Sequence, residues 1–152
     1  MALRLIPALH LATHSVAVYI DEAPDLRLSQ PEAHILSQLA SDGELTINQI
    51  HATFGHRRST LTSILDRLVK RGLIARLVPE HDRRTVLIRL TTKGAVAAKN
   101  AYAKLSQLES RITKRVSPSA VAGFITVVNA FVEDAKASPK RARTKGSAEK
   151  RR

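Results

Sequence analysis

The sequence predicts a mainly α chain with a small antiparallel β wing, and three observations carry that prediction. Apolar residues recur at helical spacing at both ends and through the middle of the 152 residues. Two short β-patterned runs, Ile74 to Val78 and Thr85 to Arg89, flank a single turn-forming stretch from Pro79 to Arg84, so they read as one antiparallel hairpin with Arg83 and Arg84 at its tip. Helix-start and helix-stop residues then divide Ser29 to Arg71, ahead of the hairpin, into three separate helices.

Taken in order, Pro7 to Asp21 forms an amphipathic helix. Ser29-Gln30-Pro31-Glu32 is a capping box with proline in the first turn and Leu28 and Ala33 as a hydrophobic staple, which starts a helix running from about Gln30 to Ala40. Asp42-Gly43 stops it. Thr46 with Gln49 three residues on repeats the device, with Leu45 stapling to Ile50, and this short helix ends at Gly55. The next helix, about Arg58 to Arg71, puts Leu61, Ile64, Leu65 and Leu68 on one side and Ser59, Thr62, Ser63, Asp66 and Lys70 on the other. After the hairpin, Thr91 can cap a long helix carrying Leu105, Leu108 and Ile112, and Ser117-Pro118 caps a last one carrying Val121, Phe124, Val128 and Phe131. That last seam can pack within one chain or against a second.

A hydrophobic content of 43% is enough for an ordinary core. The net charge of +12 is unevenly placed: residues 136–152 hold eight lysines and arginines against one glutamate, so only +5 remains for residues 1–135. The tail lacks apolar periodicity, which predicts disorder and a sequence-neutral attraction to polyanions. Cysteine is absent, excluding disulfides, thiolate zinc sites and cysteine redox sensing. His10 and His14 interrupt the apolar N-terminus and no cleavage site follows, so it reads as a folded helix and not a signal peptide. With no apolar run of transmembrane length, the expected location is cytoplasmic.

Helix, turn, helix, basic hairpin is an order suited to double-stranded DNA: one helix can enter a major groove while hairpin arginines reach the neighbouring minor groove. An enzyme is not expected, because the chain has no glycine-rich phosphate loop, no paired-carboxylate motif and no cysteine nucleophile. No cofactor or metal is expected either. An architectural, nucleoid-like DNA-binding protein without a ligand switch is the alternative reading, with tail and wing supplying salt-sensitive binding.

From Leu28 to Val132 the chain resembles the MarR family of winged helix-turn-helix regulators. Asp82, Arg84, Leu90, Thr91 and Gly94 fill the family's wing pattern, and Arg58-Ser59-Thr60-Leu61-Thr62-Ser63-Ile64-Leu65-Asp66-Arg67-Leu68, closing on Arg71-Gly72-Leu73-Ile74, is similar to its recognition helix and exit into the wing. The resemblance implies a homodimer joined through N- and C-terminal helices, a repressor of promoters, and in many members relief by a small aromatic or anionic effector. The expected organisation is therefore a dimerising N-terminal helix (1–27), a winged helix-turn-helix domain (28–94), dimerising C-terminal helices (95–135) and a basic disordered tail (136–152).

Ser59, Thr62 and Ser63 offer short hydroxyls that can approach base edges or phosphates. Arg57 and Arg58 can reach phosphate or guanine, with phosphate favoured for Arg57, which stands where the family usually has a small capping residue. Arg84 is, by the resemblance, the wing-tip residue of a narrow minor groove, Arg83 a grip on adjacent phosphate, and Asp82 a brace for the turn or an arginine. Asp66 would be repelled by phosphate and is expected to pair with Arg67 or Lys70 or to orient a neighbouring arginine. His10 and His14 stand one helical turn apart, a spacing open to a shared metal, and the resemblance implies instead a place on an effector pocket.

Overall fold

A computed structural model describes residues 2–82 and 84–137, the last two without their side chains. Its elements are α1 (Leu5–Asp21), α2 (Gln30–Asp42), β1 (Leu45–Thr46), α3 (Ile47–Phe54), α4 (Arg58–Lys70), β2 (Ile74–Leu77), β3 (Leu87–Leu90), α5 (Thr92–Thr113) and α6 (Pro118–Ala137). They fall into two compact units that meet at Leu108–Glu109 within α5. The mainly α fold with an antiparallel wing is as the sequence predicts.

In the first unit the core is built where apolar stripes converge. Ile20 of α1, Ile35 and Leu36 of α2, Ile50 of α3, Leu61, Leu65 and Leu68 of α4, and Ile88 of β3 are its largest fully buried side chains. Ala98 and Ala101 of α5 join the same cluster. The α4 stripe expected from spacing is therefore the stripe that is buried, and the hydroxyl-bearing side is left outward. In the second unit no described residue of α6 is buried, and Phe124, Ile125 and Val132 are exposed.

The sheet has three strands in the order β1-β3-β2, one more than the sequence suggests. Leu45 and Thr46 pair antiparallel with Ile88 and Leu87, while β2 pairs with β3 from Ile74 opposite Leu90 to Leu77 opposite Leu87. A two-residue strand has no alternation to detect, and Thr46 also serves as the α3 cap, accepting from the Gln49 N–H at 3.1 Å while the Gln49 side chain accepts from the Thr46 N–H at 2.8 Å. At the far end of α3, Gly55 takes the left-handed conformation (φ 63°) that closes the helix.

Other boundaries shift by small amounts. Helix α1 begins two residues before Pro7, which fits because a proline in the first turn lacks only an N–H that would have no helical partner. Strand β3 begins at Leu87 and not Thr85, since Asp82 draws the Arg84 N–H and the Thr85 hydroxyl into the loop. Thr91 caps α5 as expected, its hydroxyl accepting from the Gly94 N–H at 2.9 Å. Gly94 itself lies against the backbone of Leu73: a Cβ built there would stand 1.7 Å from the Leu73 carbonyl oxygen. Only glycine lets α5 start this close to the α4–β2 turn.

Candidate nucleic-acid interface

The outward side of α4 carries the side chains that the sequence singled out. Arg57 is the residue before the helix, extended (ψ 143°), with no side-chain hydrogen bond to the helix start. Arg57 and Arg58 are both exposed, and the N–H groups of the first turn receive no side-chain cap from Arg57. Ser59, Thr62 and Ser63 follow along one exposed side. The Thr62 and Ser63 hydroxyls donate to the carbonyls of Arg58 and Ser59 at 2.9 and 3.0 Å. Both are thus folded along the helix, with their oxygens still able to accept.

The wing is held to α4 by charge. Arg76 of β2 donates to Asp66 at 2.7 Å, with both side chains substantially exposed. Asp66 does not select Arg67 or Lys70, the helix neighbours expected from spacing, because β2 leaves the α4–β2 turn beside it. At the wing's outer end Asp82 accepts from the Arg84 N–H at 3.0 Å and from the Thr85 hydroxyl. These bonds hold its carboxyl below the usual carboxylate range. The Thr85 N–H closes the turn on the Asp82 carbonyl at 3.2 Å, and the Arg84 side chain projects into solvent. Arg83 lies outside the described residues, as do residues 138–152 of the basic tail.

On the opposite flank of α4 lies a group that sequence reading assigned only to a helix cap. Glu32, 4% exposed, accepts from the Ser29 N–H at 2.9 Å, from Arg67 Nε at 3.2 Å and from Arg71 Nη1 at 3.3 Å. Burial would raise its pKa, but the Ser29 N–H and the two arginines outweigh burial and lower it. Arg71 also donates to the Arg27 carbonyl at 2.7 Å. Arg67 and Arg71 are spaced four apart at the edge of the buried stripe, a signal that could have suggested a shared anion.

Nearer the α3–α4 turn, His34, Phe54 and His56 stack in sequence, with ring centroids 6.5 and 6.4 Å apart. Burial lowers the His34 pKa, and neighbouring His56 lowers it further. His10 and His14 both lie exposed on α1, away from this stack in sequence. Among the described residues no group of three or more His, Asp or Glu side chains is placed to hold a metal ion, and no single helix is long and apolar enough to cross a membrane.

Comparison with known proteins places this geometry. The profile of the MarR family matches residues 28–86. YfiV of Bacillus subtilis (strain 168), named an uncharacterized HTH-type transcriptional regulator, is 30% identical over 120 residues, or 77% of this chain and 75% of that protein. The multiple antibiotic resistance protein MarR of Escherichia coli (strain K12) is 40% identical over 63 residues, spanning 41% of this chain and 44% of that one. Among solved structures, the S. aureus MepR–DNA complex has a TM-score of 0.76 at 20% identity, covering 88% of this chain and 99% of that chain, which is a likeness of fold. A match that starts at Leu28, extends through the hairpin loop and coincides with the observed helix order leaves one assignment: the chain belongs to the MarR family of transcriptional regulators, which are not enzymes.

Proposed function

We propose that this chain is a homodimeric, site-specific DNA-binding repressor, with α4 in a major groove and the wing in the adjacent minor groove. The observation that carries the reading is the exposed Arg57-Arg58-Ser59-Thr62-Ser63 side of α4 joined to the wing by the 2.7 Å Asp66–Arg76 pair. That joint fixes helix and hairpin as one reading head, as groove-and-wing binding requires. Arg57 and Arg58 contact phosphate, Ser59, Thr62 and Ser63 approach bases or backbone, and Arg84, with Arg83, reaches the minor groove, where a narrow A·T-rich segment concentrates negative potential. Asp82 braces the turn that presents Arg84. The solved MepR relative is in complex with DNA, which supports the same partner here.

A second copy is the partner proposed for the apolar side chains left outward, Leu5, Ile6 and Leu11 on α1 and Phe124, Ile125 and Val132 on α6. A small aromatic or anionic effector, with His10 and His14 among its contacts, would relieve repression only if it bound the DNA-incompetent dimer more tightly than the competent one. Such a regulator works in the cytoplasm.

The test is fluorescence anisotropy of the full chain on DNA upstream of its own gene and on scrambled DNA. Preference for the upstream duplex by about a thousandfold, reduced by about 1–3 kcal/mol in Arg84→Ala with an unchanged melting temperature, is the expected result. Equal binding to the upstream duplex, other genomic fragments and scrambled DNA would replace this reading with an architectural one.

A further inference from the structure

We propose that Arg67 is a phosphate-contacting residue of the α4 surface and that the buried carboxylate of Glu32 is its positioning residue; this rests on the DNA-binding reading above. Arg67 lies four residues beyond Ser63 and eight beyond Ser59, and each step of four turns the helix by only about 40° past a full turn. It therefore continues the same surface toward the α2 flank. Its Nε is bound to Glu32 Oε1 at 3.2 Å, yet the Arg67 side chain stays 54% exposed. Among the described residues neither of its Nη atoms has a partner, so a two-pronged donor edge is left in solvent.

The composition of the cluster explains why that edge is available. Arg71, supplying Nη1 to Glu32 and Nη2 to the Arg27 carbonyl, already neutralises the buried carboxylate, and the Ser29 N–H occupies another acceptor site. A second arginine makes the cluster +1, with the more exposed guanidinium at its rim. Glu32 is buried and carries backbone ties, so it acts as a fixed seat that turns the Arg67 fork outward. A planar guanidinium fixed through Nε presents its remaining N–H groups in the geometry that suits phosphate oxygens. The ligand class is a nucleic-acid phosphate, and the contact is neutral to base sequence.

The experiment is the salt dependence of anisotropy on the upstream duplex and on a random duplex, using the full chain and its Arg67→Gln, Arg67→Lys, Glu32→Gln and Glu32→Gln/Arg67→Gln variants. Loss of one phosphate contact should make the slope of log K against log salt shallower by about 0.9 per bound protomer, which is about eightfold in affinity at 0.1 M salt and nothing at 1 M. Arg67→Gln is expected to behave so on both duplexes, and Arg67→Lys to keep the wild-type slope. Glu32→Gln should weaken binding when Arg67 is present and have no further effect when it is Gln. A wild-type slope in Arg67→Gln overturns the contact, and an equal cost of Glu32→Gln in both backgrounds overturns the positioning role.

Should Arg67→Gln fail to fold, phenylglyoxal labelling of the wild-type chain with and without duplex decides. Protection of Arg67 by DNA supports the contact, and unchanged labelling overturns it. A wild-type chain that binds neither duplex would instead remove the DNA-binding reading itself.

Discussion

Gly94→Ala should unfold the junction on which the wing depends. The added Cβ would meet the Leu73 carbonyl oxygen at 1.7 Å and the carbonyl carbon at 2.7 Å, where 3.0 Å is already closer than real contacts reach. Both partners are backbone, so no side-chain rotation relieves the clash, and the start of α5 must move by about 1.3 Å or more from the α4–β2 turn. Thr91 makes three bonds across that seam, its N–H to the Leu73 carbonyl at 3.1 Å and its hydroxyl to the Gly72 and Leu73 carbonyls at 2.7 and 3.2 Å, and Lys93 Nζ donates to the Arg71 carbonyl at 3.0 Å. Overpacking costs about 1–3 kcal/mol and each lost bond about 0.5–1.5 kcal/mol. With the three Thr91 bonds lost, the total of roughly 2.5–7.5 kcal/mol is a large share of a domain's stability, and at about 4 °C per kcal/mol it lowers the melting temperature by at least about 10 °C. Thermal denaturation followed by circular dichroism measures it. Gly123→Ala, inside α6 with nothing within 4 Å of its Cβ in the protomer, is the control and should not lower the melting point. A Gly94→Ala melt within about 2 °C of wild type would refute the reasoning.

Further outcomes follow from other contacts. The lowered His34 pKa means that the unfolded chain, with an imidazole near roughly pH 6.5, binds a proton before the folded one does. Stability is therefore full above that pH and falls as pH drops from about 6.5 through the folded pKa; urea titrations of His34→Gln should show a flatter dependence over this window, and an unchanged one would count against the burial of His34 as its cause. Asp66→Asn removes a largely exposed pair, so chemical denaturation should shift by under about 1 kcal/mol while specific DNA affinity falls more; equal losses in both would argue against a wing-aligning role. Phe124→Asp places a charge on an exposed apolar side of α6 and should convert a dimer to a monomer in light scattering, whereas an intact dimer would exclude that side chain from the interface.

Helix-forming signals here are local, and they were legible because each acts within a few residues. Thr46 with Gln49, Thr91 with Gly94 and the buried α4 stripe form as spacing requires. What spacing could not show depends on residues brought together by the fold. Strand β1 exists because Leu45 and Thr46 lie alongside Ile88 and Leu87, some forty residues away by chain. Glu32 has the sequence signature of a cap, and its second role arises from α4 passing close enough to supply two arginines. For Asp66 the spacing offers Arg67, Lys70 or an unspecified neighbouring arginine; its partner Arg76 comes from the strand that follows the turn, a proximity that helical geometry alone does not supply. The small residue of the wing pattern, Gly94, proves to be a packing requirement and not a part of the exposed loop.

The two charged joints on either side of α4 differ in burial, and so in stiffness. On the α2 side a carboxylate with only 6% of its side chain exposed is shared by two arginines and the Ser29 N–H, so it keeps donors if one arginine swings away. On the wing side Asp66 and Arg76 have side chains 55% and 38% exposed, a setting in which an ion pair contributes under about 1 kcal/mol. Helix α4 is thus tied to α2 through one buried carboxylate with three donors, whereas on the wing side a single exposed pair supplements the α4–β2 turn. On the DNA-binding reading proposed above, the Asp66–Arg76 pair sets the alignment of hairpin and helix while contributing little to folding, which is why Asp66→Asn is expected to cost more in DNA affinity than in stability.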